Sequence, residues 1–274
     1  MKTSSIEILR PVPAGVKFQY AVLDFDGTVS LIREGWQQIM IPYFAGELQA
    51  APEGKKRSWE SLLQEAEEFV SVNTGKQTIY QCIELAEHVK TLGGRALDPQ
   101  EYKAEYLRRL MEAIKQRLEG LENGTIRKED LMVPGSLELL EMLKRHGLQL
   151  YLASGTDHED VLREASLLGL DSYFDGHIYG AQRDYKTFSK KMVIERIIRE
   201  NHLEGGELLG LGDGYVEIEN IREAGGFACG VASNEKERKG LDQWKRNRLI
   251  GAGADLIIPD YREISELEQV LFYH

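Results

Sequence analysis

Asp24 and Asp26 stand two residues apart directly after the apolar run FQYAVL, with Gly27 and Thr28 next in line. Ser154, Gly155 and Thr156 follow a second apolar run, LQLYLA. Asp213 follows a third, LLGLG, with Glu217 four residues on, and Lys190 opens a long helical pattern. Carboxylates, hydroxyls and an ammonium in this arrangement suit phosphoryl transfer. A carboxylate can attack phosphorus and form an aspartyl-phosphate. Clustered carboxylates repel a phosphate unless a hard, oxygen-seeking cation such as Mg2+ lies between them. A lysine and short donors then steady the equatorial oxygens as charge redistributes. An aspartate two residues after the nucleophile can protonate the leaving oxygen and later activate water. Gly27 is expected to allow a sharp turn that bares backbone N–H groups to the phosphate.

These residues require strands that end side by side. The run at 18–23 reads as a buried strand that stops at DFDGT. From about Leu31 to Asn123 strand signals vanish, and segments such as SWESLLQEAEEFVSVN, KQTIYQCIELAEHVKTLGG and PQEYKAEYLRRLMEAIKQRLEG repeat apolar residues at helical spacing, punctuated by Ser58, Gly75, Gly93–Gly94 and Pro99. From Pro134 onward helix and strand alternate, with strands expected at LQLYLAS, HIYG, ELLGLG, GFACGVA and ADLIIP. That alternation predicts an α/β fold: a Rossmann-like, mainly parallel sheet with helices on both faces and an all-helical insert after its first strand. The expected domains are a core of 1–30 plus 130–274 and a helical cap of 31–129. In such sheets, ligands bind at the carboxyl ends of the strands, where the residues above collect.

DFDGTVS at 24–30 resembles the first motif of the haloacid dehalogenase-like hydrolase superfamily, DxDGT[LV]. YLAS ending at Ser154 resembles its second motif, Lys190 before KMVIERII its third, and GLGDGYVE with Asp213 and Glu217 its fourth, GDxxx[DE]. The resemblance spans the core in the family's motif order. True dehalogenases lack an aspartate at the position of Asp26, so the likeness favours a phosphatase or phosphomutase. It implies Asp24 as nucleophile and Mg2+ ligand, and Asp26 as general acid/base with its carbonyl on the metal. It implies Ser154 as a phosphoryl donor contact and Lys190 as the charge neutraliser. Asp213 would bind the metal, and Glu217 would complete or support its shell. Gly27, Thr28, Ser154, Gly155 and Lys190 form the implied phosphate cradle. The family places a helical cap between its first and second motifs, where it excludes water and chooses the substrate.

Several residues keep more than one reading. Asp24 and Asp26, taken singly, also suit a turn after a strand, and Ser154 suits a helix N-cap. Lys186 and Lys191 rival Lys190. Glu217 serves either as a metal ligand or as a flank to the following helix. Arg33 either faces the phosphate or starts the cap helix. Lys76 and Gln77 lie in a polar turn that is either a plain helix–helix connection or a substrate selector. His158 reads as a helix N-terminal residue, and the basic stretch at 236–248 as a solvated insertion. GLGDG lacks the third glycine of a dinucleotide loop because Tyr215 stands there, and TGKQT fails as a phosphate loop at Val70 and Gln77.

Composition narrows the classes. The 274 residues carry 34 basic and 45 acidic side chains, a formal net charge of −11. That balance argues against a nucleic-acid partner, whose affinity rests on Lys and Arg meeting phosphate. No apolar run is long enough for a membrane span, and MKTSSIEILRPVPAG lacks the apolar stretch of a signal peptide. Cys82 and Cys229 are widely separated, which fits a reducing compartment. The expectation is a cytoplasmic, Mg2+-dependent phosphatase of a small phosphorylated metabolite, a monomer or small homo-oligomer. A sugar phosphomutase is the alternative. A phosphonate-cleaving enzyme using Lys55, Lys56 or Lys76, or a non-catalytic binding protein, stands further off.

Overall fold

The computed structural model describes residues 5–203 and 205–273. Residues 1–4, 204 and 274 of the expected core range, including the first residues of the N-terminal stretch, lie outside them. Among the described residues, the sheet has seven strands in the order β1-β7-β6-β5-β2-β3-β4. They are β1 (Glu7–Ile8), β2 (Tyr20–Leu23), β3 (Gln149–Asp157), β4 (Ile178–Ala181), β5 (Leu208–Gly212), β6 (Phe227–Val231) and β7 (Leu256–Ile258). All neighbours pair parallel except β1, which runs antiparallel to β7 at the edge. The chain leaves β2 for β3 and β4 on one side and returns to β5 on the other. The switch point of the sheet therefore lies beside β2, where a crevice opens at the strand ends.

Buriedness explains the near-continuous apolar strands. Ala21, Leu23, Leu150, Leu152, Leu208, Leu209, Ala228 and Ile257 are fully enclosed, as expected for a parallel sheet covered on both faces. The covering helices are α5 (Ser136–Arg145), α6 (His158–Leu167), α7 (Asp171–Phe174), α8 (Lys190–Asn201), α9 (Tyr215–Glu223), α10 (Gln243–Gly251) and α11 (Ile264–Phe272). In β5, Gly210 and Gly212 let α9 lie close against the strand. A Cβ on Gly210 would collide with the Ile221 side chain, and one on Gly212 would meet Glu217 Cβ at 2.7 Å.

The chain divides into two compact units, residues 1–34 with 117–274 and residues 35–116. The divisions fall at 34/35 and 116/117, where the expected domain boundaries are 30/31 and 129/130. The second unit holds α1 (Trp36–Ala50), α2 (Trp59–Val72), α3 (Thr78–Thr91) and most of α4 (Pro99–Glu122). Ser58 caps α2 by accepting from Ser61 N–H at 3.2 Å. Phe44 of α1 stacks on Phe69 of α2 with centroids 5.8 Å apart, and Arg109 of α4 lies 4.3 Å over the Tyr43 ring. Helix α1 contains Pro42 and Gly46 in its interior, which blurs its sequence signature. Among the described residues, no helix is long and apolar enough to cross a membrane.

The close seat of α9 generates a prediction. Substituting Gly210→Ala forces the Ile221 side chain away from β5 and is expected to destabilise the protein by about 1–3 kcal/mol, the usual cost of overpacking. Urea unfolding followed by circular dichroism measures it; an unchanged midpoint contradicts the tight seat.

Candidate active site

Register sets the site. Leu23 pairs with Leu152 on one side and Leu211 on the other, so Asp24, Ser154 and Asp213 emerge at nearly the same level. Asp24 N–H donates to Leu211 O at 2.9 Å, which holds the first residue beyond β2 against β5. Strand β3 continues through Ser154, Gly155 and Thr156, and its pairing with β4 shifts register between Ala153 and Asp157. Such an irregularity turns side chains that a regular strand would aim elsewhere. Thr156 Oγ1 donates to Asp26 Oδ2 at 2.8 Å, and Ser154 Oγ lies 3.4 Å from the same oxygen. Ser154 does not cap α6, whose N-cap is Asp157.

Lys190 is the lysine that reaches Asp24. It is the first residue of α8, which opens on the Ser189 cap, and its Nζ donates to Asp24 Oδ1 at 2.8 Å while also pairing with Glu217 Oε1. Lys191 instead forms an exposed pair with Glu223 at 2.7 Å, and Lys186 lies in a short turn outside the helix. One helical step separates Lys190 from Lys191 and turns them to different faces. Glu217 meets Lys190 through one oxygen, and its other, Oε2, is buried without a partner. Asp26 Oδ1 and Thr28 Oγ1 are likewise buried and unpartnered.

Gly27 adopts φ +75°, as a tight turn requires, but the bared N–H groups do not follow. Gly27 N–H donates to Ser30 O at 2.9 Å and Thr28 N–H to Phe25 O at 3.4 Å, so both are spent inside the turn. The glycine serves instead to admit a neighbour: a Cβ there would collide with the Asp213 carboxylate. Ser233 Oγ donates to Gly27 O at 2.7 Å, and Tyr261 OH to Thr28 O at 2.9 Å, fixing the turn from behind.

Arg33 is buried and engaged. Its guanidinium binds Glu164 through Nε and Nη2, at 2.6–3.1 Å, and Asp160 at 2.9 Å. It starts no helix, since α1 begins at Trp36. Burial pushes Glu164 up to about 7 against the pull of Arg33. In the helical unit, Lys76 Nζ donates to Asn73 Oδ1 at 3.0 Å, and Gln77 is the N-cap residue of α3. Lys56 pairs with Glu53 at 2.6 Å. His158 is the first residue of α6.

The basic stretch at 236–248 is not wholly solvated. Its residues 243–248 lie in α10, and Lys245 buries its ammonium 2.7 Å from Asp213 Oδ2 and 2.6 Å from Glu235 Oε1. Glu235 and Lys245 are the site residues that motif reading missed. Burial lowers the affinity of Lys245 for its proton, but Asp213 and Glu235 outweigh it and hold the ammonium above the usual lysine range. Lys190 is held up in the same way by Asp24 and Glu217.

Five carboxylates thus share one strand-end crevice with two lysines. Burial pushes Asp24 well above the ordinary carboxylate range; Lys190 opposes this, while Glu217 and Asp213 add to it. Asp26 is also raised, chiefly by burial, against the pull of Arg33 and the Thr156 hydrogen bond. The donors are all oxygens, and Asp26 and Glu217 each keep a buried oxygen without a partner. That set fits a hard divalent cation such as Mg2+, although among the described residues no three acidic, His or Cys side chains already form a cage.

The sheet order, the switch-point site and the four motifs have a counterpart among known proteins. The sequence profile of the haloacid dehalogenase-like hydrolases matches residues 18–225, and the chain belongs to that family. Solved structures share the fold. A predicted phosphatase from Clostridium acetobutylicum is 17% identical, with TM-score 0.59 over 94% of this chain and 100% of that one. A predicted phosphoglycolate phosphatase from Haemophilus somnus is 17% identical, with TM-score 0.55 over 93% and 100%. A family hydrolase from Deinococcus radiodurans, holding phosphate and sodium, is 13% identical, with TM-score 0.54 over 93% and 96%. Among curated proteins, none matches the sequence.

The raised Asp24 carboxyl has a consequence for stability. Its folded-state proton affinity exceeds the unfolded value, so the folded protein holds more protons in the interval between the two. Stability from this group therefore falls as pH rises through that interval. In EDTA, Asp24→Asn is expected to raise the melting temperature relative to wild type by roughly 2–4 °C at pH 7.5, and by less at pH 5. Scanning calorimetry at both values checks it; an equal or reversed difference contradicts the assignment.

Proposed function

We propose that the protein is a Mg2+-dependent phosphatase that hydrolyses a small phosphorylated metabolite through an aspartyl-phosphate. The observation that carries this reading is the gathering of Asp24, Asp26, Ser154, Lys190 and Asp213 at the switch point, with Lys190 Nζ 2.8 Å from Asp24. The phosphatase names of two fold neighbours, and the phosphate held by a third, agree with it.

Asp24 Oδ1 accepts from Phe25 N–H at 2.8 Å and from Lys190, which leaves Oδ2 for attack. As the Oδ2–P bond forms, the bond from phosphorus to the substrate oxygen breaks, and Asp26 gives its proton to that oxygen. Its raised proton affinity keeps it a competent acid. Water then attacks phosphorus and Asp26 takes its proton; the Oδ2–P bond breaks and the Asp24 carboxylate returns. Lys190 and Ser154 steady the phosphoryl oxygens throughout. Asp24, Asp213 and the Asp26 carbonyl would hold Mg2+, with Glu217 supporting them through Lys190. The ion when bound supplies positive charge between the carboxylates and the phosphate. The helical unit, residues 35–116, is assigned the family's cap role, with Lys76 and Gln77 as candidate selectors.

Phosphate release from an aryl phosphate tests the reading. Wild type is expected to turn over with Mg2+, to stop in excess EDTA and to recover when Mg2+ is restored. Asp24→Asn should lower kcat by at least about 10³-fold and Asp26→Asn by about 10²–10⁴-fold, the usual range for a general acid–base. Full activity in chelator, or an active Asp24→Asn variant, overturns the proposal.

A further inference from the structure

A second lysine in the crevice has no counterpart in the motif pattern. Helix α10 opens on Asp242, whose side chain accepts from Lys245 N–H at 2.9 Å, so the first turn is fixed at the residue that enters the site. Lys245 Nζ meets Asp213 Oδ2 at 2.7 Å, Glu235 Oε1 at 2.6 Å and Ser233 Oγ at 3.2 Å. All three ammonium hydrogens thus have acceptors. The side chain is only 11% exposed, and Asp213 and Glu235 are 17% and 20% exposed, so bulk water screens these charges weakly. Ser233 also holds Gly27 O, which ties this cluster to the turn carrying Asp26.

We propose that Lys245 is a tethered counter-cation that competes with the divalent ion for Asp213, with Glu235 as the acceptor that keeps the ammonium when Asp213 turns to the ion. The proposal rests on the reading of Asp213 as a metal ligand. Its physical basis is charge. A unit positive charge beside a ligand carboxylate opposes the approach of a divalent ion, and a neutral side chain there leaves the site one charge more negative. A lysine that merely braces Asp213 makes the reverse demand: without it the carboxylate loosens and the ion binds less well. The two roles therefore differ in sign. Glu235 distinguishes them further, because without it the ammonium is left to Asp213 alone.

Mn2+ titration of the whole chain, followed by the electron paramagnetic resonance signal of free Mn2+, reads the affinity without reference to turnover. Lys245→Met is expected to tighten Mn2+ binding about tenfold, and Glu235→Gln to weaken it at least about threefold. Unchanged or weaker binding in Lys245→Met, with wild type binding normally, overturns the counter-cation role and leaves the metal reading intact. Absence of Mn2+ binding by wild type overturns the metal reading and this proposal with it. Should Lys245→Met fail to fold, Lys245→Gln reads the same loss of charge: tighter binding supports the competition, and unchanged or weaker binding overturns it.

Discussion

Mutual repulsion among carboxylates is the constraint on which the site depends. Asp24, Asp26, Asp213, Glu217 and Glu235 lie at one end of one sheet, where burial raises the cost of negative charge on Asp24, Asp26 and Glu235. Two lysines make the cluster tolerable. Lys190 spans Asp24 and Glu217, and Lys245 spans Asp213 and Glu235, so each ammonium answers one carboxylate from a strand end and one from a neighbouring segment. Truncating either lysine would leave buried charge uncompensated, which is far costlier than losing an exposed pair. Two ammonium groups do not balance five carboxyl groups, and a surplus of buried oxygen donors is the kind of set that fits a hard cation.

The sheet makes this concentration possible. Because β2 lies between β3 and β5 in parallel register, residues distant in sequence emerge at one level without any loop having to reach far. Small residues then draw the charged ones together. Gly212 admits the Glu217 stem, and Gly27 admits the Asp213 carboxylate. Arg33 belongs to the same electrostatic frame from the other side: it satisfies Glu164 and Asp160 while pulling on the proton affinity of Asp26. These arrangements leave Asp26 Oδ1, Thr28 Oγ1 and Glu217 Oε2 buried without a partner, and both hydrogen bonds to Asp24 fall on Oδ1.

Much of this was legible in the sequence, for a physical reason. Buried parallel strands are short apolar runs, and the first polar residues after them must lie at the sheet's carboxyl edge; that logic finds Asp24, Asp26, Ser154 and Asp213. Lys190 was legible as one of three lysines, and helix phase, which depends on the Ser189 cap, separates it from Lys191. Glu235 and Lys245 were not legible. A segment such as KERKGLDQWKRNR reads as a solvated face, and only the position of α10 beside Asp213 shows that one of its lysines turns inward. The two-residue strand β1 left no pattern, and the N–H groups of Gly27 and Thr28 were expected to face a ligand because sequence does not reveal the return of the turn to Phe25 and Ser30.

In the proposed reaction Asp24 carries the phosphoryl group during turnover. Borohydride reduces an aspartyl-phosphate to homoserine, so quenching the enzyme during steady-state turnover into borohydride, followed by peptide mass spectrometry, locates the acyl phosphate directly. Homoserine is expected at position 24, dependent on substrate. Homoserine at another position, or none at 24 while phosphate is being released and an authentic acyl phosphate is reduced under the same conditions, would contradict it.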